Sequence, residues 1–211
     1  NFGALGAAWI FSEENFLKDK KWLSFGKLRS SIGTSGSDNI GDYGYLDTYT
    51  VSSSIYNTST ALNPSRLYNP DYSWEKTLKV EAALEVGFFK NRLNLVTAMY
   101  RNTSSNQLVG YQLPATTGFS SVLANLDATV QNSGWEFELN AKPLAGKLFQ
   151  WETGFNISFP KNKLISFPGM AGSTYANSYI IGQPTSIVKL YQYEGINPAT
   201  GIYMFTDFNG D

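Results

Sequence analysis

The chain has 211 residues, a net charge of −1, and neither cysteine nor histidine. The missing thiols exclude disulfides and thiolate metal sites, and the missing imidazole excludes Ser-His-Asp, Cys-His and H-E-x-x-H catalysis. Because the charge provides no basic field for a polyanion, we expect no nucleic-acid partner.

Six segments of the chain are predicted to be β-strands. Their bounds are residues 4–11, 25–33, 78–88, 93–103, 133–141 and 149–159. Segments 78–88 and 149–159 alternate apolar and polar side chains almost without error, which indicates one apolar and one wet face. In the last strand Trp151 and Phe155 lie on the apolar face, whereas Glu152 and Asn156 lie on the polar face. Strands of about 10 residues are long enough to cross a bilayer at a tilt.

The connections between the predicted strands alternate in length. Tight turns occupy residues 89–92 and 142–148, while long segments occupy residues 34–77, residues 104–132 and the chain from residue 160 onward. Outer-membrane barrels show this asymmetry, and a soluble β-sandwich has no reason to sort its loops by end. The pattern therefore favours a membrane barrel.

Aromatic residues fall into two groups. Those on the apolar faces of strands are expected to contact lipid or to form the interfacial girdle: they are Trp9, Trp135, Trp151, Phe155 and Phe159. Those in the long loops combine an apolar ring with a polar handle and could stack on sugar rings or on a partner, although each could instead pack within its loop. These candidate recognition residues are Tyr43, Tyr45, Tyr72, Trp74, Tyr111, Phe119, Tyr175 and Tyr179.

Three glutamates raise the possibility of carboxylate catalysis. Glu136 and Glu138 share the polar face of the fifth predicted strand, and Glu152 lies on that of the sixth. A glycosidase needs two carboxyl groups about 5 to 9 Å apart. We favour the alternative, a solvated wall on which acidic residues alternate with amides, and we expect no enzyme.

The residues Asp207, Asn209 and Asp211 match the first three ligand positions of a D-x-[DN]-x-[DN]-G calcium loop. The rest of that motif would lie beyond residue 211, and an Asx-rich turn is the alternative interpretation. Calcium is thus a possible ligand here, and we expect no other cofactor.

Several characteristic segments follow one another along the chain: AWIFSEE (8–14), GKLRSSIGTSGSDNIG (26–41), NPDYSWE (69–75), LPATTGFSS (113–121), NSGWEFEL (132–139), and residues 22–23, 91–93, 100–101, 149–158 and 201–211. In this order they resemble the SusC/RagA family of TonB-dependent outer-membrane transporters of Bacteroidetes.

The resemblance implies an all-β, antiparallel transmembrane barrel of about 22 strands with a plugged lumen, of which this chain supplies about six. Residues 1–211 would be part of the barrel domain, with the plug, the N-terminal region and the last strands outside them. The expected activity is import of glycans or peptides across the bacterial outer membrane, with a SusD-like surface lipoprotein, the TonB complex and membrane lipid as partners. The other hypotheses are a soluble glycan-binding β-domain and a carboxylate glycosidase.

Overall fold

The structure, a computed structural model, describes residues 2–37, 40–56, 59–113, 115–119, 121–146 and 148–206. Within these ranges it consists of antiparallel β-strands and short 3-10 turns, with no α-helix. In chain order the strands are β1 (Gly3–Trp9), β2 (Leu23–Ser37), β3 (Thr48–Tyr56), β4 (Ser59–Arg66), β5 (Glu75–Phe88), β6 (Leu93–Ser105), β7 (Gln107–Gln112), β8 (Ser121–Leu126), β9 (Thr129–Ala145), β10 (Gln150–Ser166), β11 (Tyr193–Ile196) and β12 (Tyr203–Phe205).

Six strands form one sheet in the order β1-β2-β5-β6-β9-β10, with every neighbouring pair antiparallel. These six are the predicted strands, so the all-β antiparallel prediction is confirmed. Each of them except β1 is longer than predicted. β10, for example, continues past Phe159 through Lys161 and Lys163 to Ser166, because pairing with β9 is maintained after the apolar alternation has ended.

The register aligns the apolar side chains of neighbouring strands. Phe159 pairs with Trp135, and Trp135 pairs with Met99. Because successive residues of a strand alternate between faces, these pairs form one continuous surface, which we call the apolar face. It is exposed, and its large members include Leu5, Trp9, Leu28, Ile32, Leu78, Leu84, Met99, Trp135, Leu139, Trp151, Phe155, Ile157 and Phe159.

The boundary of the apolar face crosses the strands obliquely. On β5 the apolar side chains extend to Val80 and Leu78. The residues in the same register as Val80 on the next three strands are Arg101, Ser133 and Lys161. The strands of a barrel are tilted, so an apolar band of constant height around the barrel crosses them obliquely. The pattern is therefore typical of a barrel wall.

The two ends of the sheet differ in their connections. At the turn end, residues 89–92 join β5 to β6, with positive φ at Phe89, Lys90 and Asn91. The Lys90 and Asn91 amides donate to the Ser24 hydroxyl at 2.6 and 3.2 Å, which holds this turn against β2. At the opposite end, the loop end, the long connections carry the hairpins β3-β4 and β7-β8, which were not predicted.

Buried apolar residues are few in the described part of the chain. Ala83 and Ala98 are buried on the polar face of the sheet, and a cluster at the loop end contains Ala128, Val130, Leu164 and Phe167. A soluble sandwich would cover the apolar face with a second layer. Among the described residues no such layer is present. The helical segments there are short 3-10 turns, and none is long and apolar enough to cross a membrane.

Candidate functional site

The polar face of the sheet carries a network of ion pairs. Arg29 of β2 forms an ion pair with Glu81 and donates from Nε to Glu85 Oε1 at 3.0 Å, both on β5. Lys27 lies 4.0 Å from the same Glu85 oxygen. Two of these side chains, Arg29 and Glu81, line a concave groove of about 770 Å3, whose wall also contains Lys79 and Glu136, so that side chains of both signs face it.

The three glutamates considered for catalysis have other interactions. Glu152 pairs with Lys142 at 2.7 Å, and Glu138 accepts a hydrogen bond from Asn140 Nδ2 at 2.7 Å. Glu138 is in register with Asn156, so Glu152 lies further toward the turn end. Two of the three carboxylates are thus engaged in pairs that a polar barrel wall requires, which favours the wall interpretation over a catalytic dyad.

The first loop group contains Tyr43, Tyr45, Tyr72 and Trp74. The Tyr72 hydroxyl donates to the Ile40 carbonyl, and a Cβ on Gly44 would overlap the Tyr72 ring. Tyr72 is therefore packed within its loop.

The other members of this group are more exposed. Tyr43 is 70% exposed and Tyr45 is 42% exposed. The Tyr45 backbone carbonyl accepts a hydrogen bond from the Asn69 backbone N–H at 2.9 Å. Trp74 stacks on Phe2 with ring centroids 5.7 Å apart and remains 48% exposed. These three rings keep faces free for contact with another molecule.

The second loop group, Tyr111, Tyr175 and Tyr179, forms an aromatic cluster at the loop end. Tyr175 contacts the rings of Tyr111, Tyr179 and Phe167 at centroid distances of 5.9, 5.9 and 5.7 Å. The structure brings these three predicted residues together because the chain after β10 packs Tyr175 and Tyr179 against the buried cluster at the ends of β9 and β10, where Tyr111 of β7 meets Tyr175. Phe119 lies apart from them, half-buried in a turn where its amide donates to Thr117 Oγ1 at 3.4 Å.

Asparagine side chains stabilise the loop end. They were not predicted as site residues from the sequence. Asn125 of β8 donates from Nδ2 to the Ser73 carbonyl at 2.7 Å and to the Asn106 carbonyl at 3.1 Å, while its Oδ1 accepts from the Ser73 amide at 2.9 Å. The nearly buried Asn69 donates to the Leu123 carbonyl at 3.0 Å. These bonds fix the segment before β5 to the β7-β8 hairpin.

A second cavity, of about 370 Å3, lies beneath the aromatic cluster. Its wall includes Tyr175 and Tyr179 together with the amides Asn132 and Asn162. Sequence reasoning missed the two amides, since Asn132 and Asn162 are ordinary polar positions on the wet faces of β9 and β10.

No group of three or more acidic side chains in the described ranges is placed to hold a metal ion. The calcium prediction at Asp207, Asn209 and Asp211 concerns residues outside those ranges.

Comparison with protein families matches residues 2–206 to the family described as TonB dependent receptor-like, beta-barrel. A TonB-dependent receptor of Formosa agariphila is 32% identical over 99% of this chain. The TonB-dependent receptor SusC of Bacteroides thetaiotaomicron is 32% identical over 82% of it. The chain spans about a fifth of each relative, 20% and 18% respectively.

Solved structures agree in fold. The RagAB peptide transporter matches with a TM-score of 0.82 and 27% identity over 97% of this chain and 23% of that chain. The RagAB peptide importer in its closed-closed state matches with a TM-score of 0.84 and 26% identity, over 99% of this chain and 23% of that chain.

Proposed function

This chain belongs to the TonB dependent receptor-like β-barrel family, and on that premise we propose that it is part of the wall of an outer-membrane nutrient importer. The observation that carries the proposal is the exposed apolar face backed by a charged polar face on one antiparallel sheet. Lipid is the partner that such a face requires, because a barrel in a bilayer is apolar outside and polar inside.

The imported substrate is an oligosaccharide or a peptide. One relative is named SusC, and the two solved neighbours are named as peptide transporter and peptide importer. At the loop end the rings of Tyr43, Tyr45 and Trp74 are partly exposed to solvent, and such rings suit contacts with either substrate. The polar groove with Arg29 and Glu81 belongs to the side that faces the plug.

Two partners complete the proposed importer. A SusD-like surface lipoprotein covers the loop end, since this is the end where aromatic residues and hairpins project from the sheet. The TonB complex supplies energy through a part of the protein that lies outside this chain. The localisation that follows is the bacterial outer membrane.

The test uses the full-length protein that contains this chain. We expect it in the outer-membrane fraction and in solution only with detergent, and we expect a tagged copy to retain a surface lipoprotein. Cells with the protein should take up labelled oligosaccharides or peptides, and an uncoupler of the proton-motive force should stop this uptake. A protein that is soluble and monomeric without detergent would contradict the importer and favour the soluble glycan-binding domain.

A further inference from the structure

Three parts of the chain line the cavity beneath the aromatic cluster. The β7-β8 hairpin contributes Val109 and Leu126, the strands β9 and β10 contribute Val130 and Leu164, and the chain after β10 contributes Tyr179. Its volume of about 370 Å3 is within the range of small-molecule sites. The cavity adjoins the charged groove at Asn132, which lines both, whereas the charged residues of the groove, such as Arg29 and Lys79, are not part of the cavity wall.

The aromatic wall of this cavity is held in place before any ligand arrives. Tyr179 packs against Tyr175 with ring centroids 5.9 Å apart, and Tyr175 in turn contacts Phe167 and Tyr111 at 5.7 and 5.9 Å. Phe167 is 6% exposed, so the cluster is anchored on a buried residue. A ring fixed in this way loses little conformational freedom on binding, which favours affinity.

The wall of the cavity also contains two amide side chains that are fixed by hydrogen bonds. Asn162 Oδ1 accepts hydrogen bonds from the Thr185 amide and hydroxyl at 2.7 and 2.8 Å, and Asn162 Nδ2 donates to Asn132 Oδ1 at 2.7 Å. These bonds leave Asn132 Nδ2 without an acceptor among the residues that the structure describes. Asn132 is exposed, so its amide N–H groups are available to a ligand.

The charge of the cavity restricts the kind of ligand. Among its described lining residues none has a charged side chain. A sugar ring is neutral, has an apolar face of C–H groups and carries hydroxyls at its edge. A peptide brings charged termini and often charged side chains, which cost free energy in a site without counter-charges.

We propose that this cavity binds one neutral sugar ring of an imported oligosaccharide, with the ring stacked on Tyr179 and a hydroxyl accepting from Asn132 Nδ2. The inference rests on the proposed import function and selects the oligosaccharide from its two substrate classes. It makes Tyr179 and Asn132 specificity-determining residues, and Asn162 a residue that positions Asn132.

The experiment measures binding to the detergent-purified full-length protein, using an array of neutral and uronic-acid oligosaccharides and a hexapeptide library. For the neutral oligosaccharides that bind, Tyr179→Ala should raise Kd about five-fold or more, because about half of the contact area of a buried ring is lost. Tyr179→Phe should restore binding, since the ring remains. Asn132→Ala should raise Kd about three-fold to ten-fold, because the hydrogen bond to the sugar hydroxyl is lost.

Tyr68→Ala is the matched control, because Tyr68 is 59% exposed and is not part of the cavity wall. It should leave every Kd unchanged. Outer-membrane yield and proteolysis of the loops establish that each variant is folded.

Four results would overturn the inference. They are unchanged saccharide affinity in folded Tyr179→Ala, tighter binding of uronic acids than of neutral sugars, no saccharide binding at all, and peptide binding that depends on Tyr179. If uptake persists in any of these cases, the import function stands and only the cavity assignment fails. Absence of uptake in the unaltered protein would instead contradict the import function itself.

Discussion

Phe155 and Phe167 are close in the sequence and opposite in environment. Phe155 lies in the middle of β10 and is 61% exposed on the apolar face, whereas Phe167 follows β10 and is 6% exposed within the cluster at the loop end. The comparison separates two stabilising environments in one chain. The sheet relies on an apolar medium outside the protein, while the loop end builds a small core of its own.

The largest expected effect comes from charging the apolar face. Phe155→Arg should cost up to about 4 kcal/mol of folding free energy, because an arginine at the bilayer midplane is poorly solvated. The matched control is Asn156→Arg, on the polar face of the same strand, which should cost much less. The measurement is the yield of folded full-length protein in the outer membrane and its urea unfolding in lipid vesicles. Equal losses in the two variants would show that the two faces meet similar surroundings.

Phe167→Ala tests the other side of the comparison. We expect a loss of about 3 kcal/mol at the loop end, since a buried ring is removed from a small cluster. The loss should be local, with faster proteolysis of residues 167–185 and an intact sheet. Phe149→Ala, at a residue that is 64% exposed, provides the control. If the sheet unfolds together with the segment, the two regions are not independent.

The asparagine brace should have a smaller effect. Asn125→Ala removes bonds to the Ser73 amide, the Ser73 carbonyl and the Asn106 carbonyl, and should destabilise that contact by about 1 to 2 kcal/mol. Hydrogen exchange at the Ser73 amide should accelerate, while exchange in the centre of β5 should not change. Asn63→Ala, in an exposed position of β4, should leave the Ser73 exchange rate as it is. An unaltered Ser73 rate in Asn125→Ala would contradict the brace.

The smallest effect is expected on the polar face. Arg29→Met breaks the pairs with Glu81 and Glu85, and because these side chains are 27 to 39% exposed the cost should be about 1 kcal/mol or less. The cost should shrink at high salt, since ions screen such pairs. Unfolding in vesicles at two salt concentrations measures it. A large and salt-independent loss would mean that the pairs are shielded from water.

The same two regions separate what the sequence could predict from what it could not. Within the sheet, the alternation from Phe149 to Phe159 is local information, and it predicted the strand and its two faces. The extension of β10 to Ser166 was missed because Lys161 and Lys163 end the apolar pattern, although the backbone pairing with β9 continues.

At the loop end the missing information is non-local. Tyr175 and Tyr179 were predicted only as candidate recognition residues of a loop, and the structure shows that they also pack against the cluster that contains Leu164 and Phe167. The hairpin β7-β8 was missed because glycine and polar residues interrupt its short strands. The available signal was one apolar dipeptide in each strand, Leu108-Val109 in β7 and Val122-Leu123 in β8. Whether the loop aromatic residues bind substrate remains a prediction.

The central claim is that the apolar face of β10 meets lipid, and spin labelling tests it most directly. The chain contains no cysteine, so single cysteines at positions 153 to 159 of an otherwise cysteine-free full-length protein can each carry a nitroxide in lipid vesicles. Oxygen concentrates in the bilayer and a nickel chelate stays in water. The account predicts high oxygen and low nickel accessibility at positions 153, 155, 157 and 159, and low oxygen accessibility at 154, 156 and 158. Oxygen accessibility without this period of two, or with the opposite phase, would contradict it.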